Sequence, residues 1–184
     1  KTPSKFSCGC SSKHCSGEYK QLSNCGSCRR CLDICPTGAL EAPYTVNASK
    51  CISYLTIEHK GEIPVELRGK MGNWIFGCDI CQKKCPFNVG RQQKGGDIEL
   101  TQKAIAGSTR DLKEILSIKT DEEFLEKFAG SPVMRAKRRG LVRNACVAAG
   151  NSGDKSLIPY LEALLDDDDI VAGHAKWAIG RLDM

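Results

Sequence analysis

Eight of the 12 cysteines in this 184-residue chain fall into two runs, Cys25-x2-Cys28-x2-Cys31-x3-Cys35-Pro36 and Cys51 followed by Cys78-x2-Cys81-x3-Cys85-Pro86. Thiolates two residues apart on a tight loop can take three adjacent corners of an iron-sulfur cube without strain. The fourth corner faces away from that loop and needs a distant cysteine. In the bacterial two-cluster pattern that ligand is the cysteine followed by proline, which crosses over to the other cluster. The rule assigns Cys25, Cys28, Cys31 and Cys85 to one 4Fe-4S cluster and Cys35, Cys78 and Cys81 to a second. Cys51 is the only cysteine between the runs, so it completes the second set. Two interlaced clusters of this kind force the two runs to fold against each other.

The residues around the thiols fit that chemistry. Pro36 and Pro86, with fixed φ and no N–H, turn the chain away after the ligand. Gly26 and Gly38 can take positive φ, which would aim backbone N–H groups at the sulfurs. Structural zinc also accepts Cys-x2-Cys pairs, but a third cysteine at the same step and the Cys-Pro ending fit it poorly. A disulfide scaffold is disfavoured because Cys-x2-Cys bridges are strained, and a chain of this length can bury a core without them.

No apolar run approaches the roughly 18 to 20 residues that span a bilayer, so the expectation is a cytoplasmic chain with no membrane partner. The formal charge of +5 permits an anionic partner without requiring one. Three segments are expected: residues 1–24, a flexible leader in which Cys8, Cys10 and Cys15 lie beside His14; residues 25–90, a cluster domain like a bacterial two-cluster ferredoxin; and residues 97–184, a helical domain, separated by a glycine-rich boundary from Gly90 to Gly96. In the cluster domain Leu32 and Ile34 are expected to shield one cluster, and Ile75, Phe76 and Ile80 the other. A helix from Cys51 should run to a stop at Gly61, with His59 a solvated helical residue, and another should start near Pro64.

Past the boundary the apolar period is helical, at Leu112, Ile115 and Leu116 and at Phe124, Leu125 and Phe128. Residues 143–151 align with 173–181 at a shift of 30, matching Ala145 with Ala175, Ala148 with Ala178 and Gly150 with Gly180. A helix carrying Pro159 lies between them, and the acidic run Asp166 to Asp169 should cap the next. Helix pairs at a fixed period stack, so the expected architecture is mainly α, a two-cluster ferredoxin-like domain followed by a short HEAT-like α-solenoid. Cys146 and His174 are expected to serve packing. Arg135, Lys137, Arg138, Arg139 and Arg143 crowd into nine positions, with Arg135, Arg139 and Arg143 at i, i+4 and i+8, and such a face suits phosphate.

Three stretches together, Cys25 to Leu40, Cys51 to Glu58 and Met71 to Gln82, resemble the carboxy-terminal half of the epoxyqueuosine reductases, as does Arg138 to Ala145 leading into Gly150 and Asn151. The resemblance covers about residues 25–184. It implies a cobalamin-dependent oxidoreductase that removes the epoxide oxygen of epoxyqueuosine in tRNA with a GUN anticodon, the last step of queuosine synthesis. It implies that the clusters pass electrons from an external donor to cobalt, that the helical array holds tRNA, and that Ser53 and Asp79 approach the cobalamin. Family members carry a larger cobalamin domain ahead of the clusters, which residues 1–24 cannot replace. This chain, expected to be a monomer, should therefore be inactive alone. Trp74 stands where an arginine is common, and Phe87 where a tryptophan is common. The competing expectation is a general two-cluster electron carrier whose helical array docks another protein.

Overall fold

The computed structural model describes residues 27–88 and 109–184. The leader with Cys8, Cys10 and Cys15, the ligand candidate Cys25, and the boundary from Gly90 to Gly96 lie outside the described residues. The first described stretch carries short elements: α1 (Arg30–Ile34), β1 (Leu40–Ala42), β2 (Thr45–Val46), α2 (Ile52–Ile57), α3 (Val65–Arg68) and α4 (Ile80–Lys84). The second is helical: α5 (Leu112–Leu116), α6 (Asp121–Phe128), α7 (Lys137–Ser152), α8 (Ile158–Glu162) and α9 (Asp169–Leu182). Mainly α, as expected, the fold adds one small antiparallel ribbon in which Leu40 faces Val46 and Ala42 faces Thr45.

In the first stretch the chain turns tightly around its cysteines, and α1 packs against α4. Helix α2 ends at Ile57, earlier than Gly61. The carbonyls that follow are taken by a side chain from the second stretch, Arg143, which leaves His59 outside the helix with Nε2 bonded to the Glu62 carbonyl. Pro64 precedes α3, where its missing N–H costs no helical bond.

Helix α7 is the centre of the second stretch. Residues 140–150 are buried around its whole circumference, the pattern of a helix with neighbours on every side. Helices α5, α6 and α9 cover part of it, and α2 and the turn Gly69–Met71 cover another part. Asp111, Thr120, Asp154 and Asp168 accept hydrogen bonds from backbone N–H groups at helix starts, each offsetting an otherwise unpaired donor. Phe124 and Phe128 of α6 are buried, whereas Leu125, expected in the apolar set, is 46% exposed because it lies on the outer side of this peripheral helix.

Two apolar cores meet at α7. The larger joins Ile115, Phe124, Phe128, Leu141, Ala145, Leu161 and Ala175. The smaller joins Ile52, Leu55, Ile63, Leu67 and Met71 to Val147 of α7, and Trp177 packs on both. Ile75 and Phe76, expected as cluster shields, pack against the larger core. Between residues 27 and 50, by contrast, only Thr37 and Ala39 are buried. Something other than apolar packing must organise that segment.

Candidate metal centre

The two cysteine runs fold as near copies of each other. Arg29 and Asp79, each following a cysteine, precede the two helices with φ/ψ of −120°/7° and −116°/16°. Cys31 and Cys81 lie within the helices, and Cys35 and Cys85 end them with φ/ψ of −67°/114° and −65°/126°. Beyond each, the N–H three residues on returns to the cysteine carbonyl, Gly38 to Cys35 at 3.2 Å and Asn88 to Cys85 at 2.9 Å. The seven-residue spacing is thus a repeated cradle, and the contact between α1 and α4 sets the copies face to face.

Cys35, Cys51, Cys78 and Cys81 come together. Burial pushes the Cys78 and Cys81 thiols up, and the nearby charges of Cys51 and Cys35 push in the same direction for both. Burial also raises Cys35, but the Thr37 hydroxyl and the backbone N–H groups of Ala39, Leu40 and Thr37 outweigh it and hold the thiol below its ordinary value. Gly38, at φ +65°, sits in that N–H turn. Two thiols within electrostatic reach of Cys35 and Cys51, with Cys35 ringed by N–H donors, suit an electron-rich iron-sulfur group. Among the described residues no three His, Cys, Asp or Glu side chains stand close enough for a single metal ion. Tetrahedral zinc at about 2.3 Å from each sulfur would draw such ligands closer. A cube, which takes its four thiolates from the Cys-x2-Cys-x2-Cys and Cys-Pro pattern, suits this donor set.

Of the other set, Cys28, Cys31 and Cys85 are all half-buried free thiols, at the α1 start, in α1 and at the α4 end. Ser53, in α2, and the exposed Asp79, ahead of α4, each lie within two residues of a thiol of the gathered group. Trp74 is half-buried with the Lys83 ammonium 5.5 Å from its ring, while Phe87 is exposed. Cys146 is fully buried, its thiol pushed up to about 12 by burial, and His174 is a packing residue with both ring nitrogens bonded.

The basic cluster is not one helical face. Arg135 lies before α7 in a 3-10 turn, exposed and paired with Glu58. Lys137 opens α7 at φ +59°, Arg138 is part-buried in a pair with Asp167, and Arg139 reaches Asp168 at 3.4 Å. Arg143 is 1% exposed, so it cannot belong to a surface patch. Its guanidinium donates to the carbonyls of His59, Gly61 and Leu55 and to Asn144 Oδ1. Burial and the Arg139 charge pull it down to about 10. With Lys60, Asp121, Lys137 and Arg139 it lines a cavity of about 360 Å³.

Sequence reasoning gave no role to Thr56, Asn144 and Asn151, which bind the two stretches together. Asn144 Nδ2 donates to Thr56 O and Ile75 O, and Asn151 Nδ2 to Arg68 O and Gly72 O. The signal was present: polar residues inside a helix otherwise rich in alanine and valine need buried partners.

Residues 24–88 match the 4Fe-4S double cluster binding domain family. The epoxyqueuosine reductase of Pseudomonas aeruginosa is 44% identical over 163 residues, which is 86% of this chain and 44% of that protein. The solved structure of epoxyqueuosine reductase from Bacillus subtilis superposes with a TM-score of 0.76 at 41% identity, over 86% of this chain and 42% of that one. In sequence and fold the chain is similar to part of the epoxyqueuosine reductases. It spans less than half the length of the relatives it matches. An epoxyqueuosine reductase crystallised with an epoxyqueuosine-modified tRNA-Tyr stem loop gives a TM-score of 0.73 at 39% identity, again over 86% of this chain and 42% of its own. The match to these reductases runs through both the cysteine cradles and the helical stretch, a combination that a free-standing electron carrier does not require. No helix among the described residues is long and apolar enough to cross a membrane.

Proposed function

We propose that this chain is the electron-transfer and tRNA-docking portion of an epoxyqueuosine reductase. The observation that carries the reading is the identity of 39–44% to such enzymes over about 86% of the chain, which spans both the cysteine cradles and the helices. In this reading Cys25, Cys28, Cys31 and Cys85 hold one 4Fe-4S cluster and Cys35, Cys51, Cys78 and Cys81 the other. The charge coupling of the last four thiols and the N–H donors around Cys35 support the second set. The packing of α1 on α4 supports crossed ligation, since it sets the two cysteine runs against each other and leaves Cys35 of the first within electrostatic reach of Cys78 and Cys81 of the second.

When bound, the clusters supply one-electron transfer, and cobalamin supplies the cobalt chemistry that removes the epoxide oxygen. The chain's own groups hold and shield. The Cys35 turn would offset sulfide charge, the α1–α4 contact would hold the two cradles together, and Ser53 and Asp79, beside Cys51 and Cys78, would be the residues offered to the cobalamin. The helical stretch, a short HEAT-like array, presents Arg135, Lys137 and Arg139 to tRNA phosphates, with Arg138, held by Asp167, and the buried Arg143 beneath them as braces. An external donor supplies electrons, and turnover needs the cobalamin-binding part of the relatives.

Anaerobic reconstitution followed by titration with tRNA carrying epoxyqueuosine tests this. The expected result is a brown protein bleached by reductant, with about eight irons per chain, whose RNA affinity falls steeply as salt rises. A colourless zinc protein would overturn the reading. Two clusters with no RNA affinity would favour the electron-carrier alternative instead.

A further inference from the structure

Arg143 and Asn144 sit in the middle of α7 at 1% and 0% exposure, among apolar neighbours. A buried guanidinium without a carboxylate is costly, so its partners show what it is there to hold. All five of its N–H donors are used: two on Asn144 Oδ1 at 3.1 and 2.8 Å, and three on the carbonyls of Leu55, His59 and Gly61 at 2.7, 2.8 and 2.7 Å. Those carbonyls lie in and just past the last turn of α2, where a helix presents unpaired acceptors and the negative end of its dipole. The N-cap at the other end of α2 is Cys51, about 9 Å away along a six-residue helix.

Asn144 continues the connection. Its Nδ2 donates to Thr56 O at 2.8 Å and to Ile75 O at 2.9 Å, tying α2 to the loop that leads into Cys78. The Thr56 hydroxyl, also buried, donates to Ile52 O at 2.7 Å and accepts from Gly77 N–H at 3.0 Å. Ile52 directly follows Cys51, and Gly77 directly precedes Cys78. Two thiols 27 positions apart are thus joined, through the residues next to them, by one hydroxyl, and that hydroxyl's helix is gripped by α7.

We propose that Thr56, Asn144 and Arg143 are positioning residues for the second cluster, locking the Cys51 and Cys78 segments together and to the helix that follows the basic turn. This rests on the reading of Cys35, Cys51, Cys78 and Cys81 as holders of one cluster. The relay touches neither thiol. It fixes the distance and angle between their backbones, and so the strain and hydrogen bonding that the cluster experiences, quantities to which iron-sulfur potentials respond.

The test uses the full chain, reconstituted anaerobically, with iron content, helical circular dichroism, electron paramagnetic resonance of the reduced protein and a potentiometric titration. Thr56→Val keeps shape and removes the hydroxyl; Thr56→Ser keeps the hydroxyl; Asn144→Asp keeps the acceptor for Arg143 and removes the donors to Thr56 and Ile75. Expected are parent iron content and helicity in all three. Thr56→Val and Asn144→Asp should show a changed resonance and a shifted midpoint for one cluster only, and Thr56→Ser should match the parent. Signals and midpoints of Thr56→Val and Asn144→Asp that superimpose on those of a two-cluster parent overturn the inference alone. If Thr56→Val loses helicity, Asn144→Asp at the parent midpoint overturns it equally. A parent that binds no iron-sulfur cube overturns the cluster reading, and this inference with it.

Discussion

At the residue scale, the repeat in the sequence hides an asymmetry that the packing exposes. Gly150 and Gly180 occupy matched positions, yet a Cβ on Gly150 would lie 2.8 Å from the Trp177 ring and 3.0 Å from Ala178 Cα, while one on Gly180 meets nothing within 4 Å. Alanine gains about 1 kcal/mol over glycine inside a helix, and overpacking costs about 1–3 kcal/mol. Gly150→Ala should therefore destabilise by roughly 1 kcal/mol, and Gly180→Ala should stabilise by up to about 1 kcal/mol. Thermal melts should move in opposite directions. His174 makes a second prediction. Burial pulls its imidazole down to about 4, with Ile63 N–H donating to Nε2 at 3.1 Å. Its unfolded value is near 6.5. Between those two pH values the unfolded chain binds a proton that the folded chain refuses, so stability is full above about 6.5 and falls as pH drops toward 4, by at most about 3 kcal/mol. Urea midpoints measured from pH 7 to 5 should decline more steeply for the parent than for His174→Gln. His174 was legible as a packing group from the sequence, and the two glycines as matched repeat positions. Which glycine is crowded was not, because matched spacing says nothing about what stands opposite.

At the element scale, α7 shows where reading charge from spacing fails. Arg135, Arg139 and Arg143 at four-residue steps suggest one solvated stripe, but the helix starts at Lys137 and is covered by α2 a turn and a half later, so the third arginine is interior. Periodicity reports which residues share a face. It cannot report that the face passes under a neighbour contributed by residues more than 80 positions away. The contrast predicts two kinds of variant. If the proposed tRNA docking holds, Arg139→Gln should lower the salt dependence of tRNA binding by roughly one unit of slope while leaving stability near the parent value. Arg143→Leu leaves the carbonyls of Leu55, His59 and Gly61 without their donor, at about 1–3 kcal/mol for each buried acceptor that finds no water. Its stability should drop by at least about 2 kcal/mol, while the folded fraction keeps the parent slope. An unchanged melt with a reduced slope would return Arg143 to the surface.

At the scale of the whole molecule, the two apolar cores and the cysteine cradles divide the work of folding unevenly. Residues 52–71 pack Ile52, Leu55, Ile63, Leu67 and Met71 on Val147 of α7, so they belong energetically to the helical stretch. Residues 27–50 bury only Thr37 and Ala39, and in α1 and α4 no residue is fully buried. Apolar burial at about 25 cal/mol per Å² has little to act on there, so in the proposed reading the cubes would serve as the core of the cradles, as a structural metal does for a small domain. The cysteine spacing points to that arrangement, since the proposed interlaced ligands would fold the two runs against each other. That the middle of the cluster domain is held by α7 was not legible, because the deciding contacts are hydrogen bonds from Arg143, Asn144 and Asn151 to backbone carbonyls, which leave no pattern in the acceptor residues. Removing iron with a chelator under anaerobic conditions should therefore unfold the molecule in part. Amide exchange should accelerate to near-unprotected rates across residues 30–35 and 80–85, while amides of α2 and of residues 141–150 keep their protection. Uniform loss of protection through α7 would mean that the clusters support the helical stretch as well, and retained protection in α1 and α4 would mean that they are not the core of the cradles.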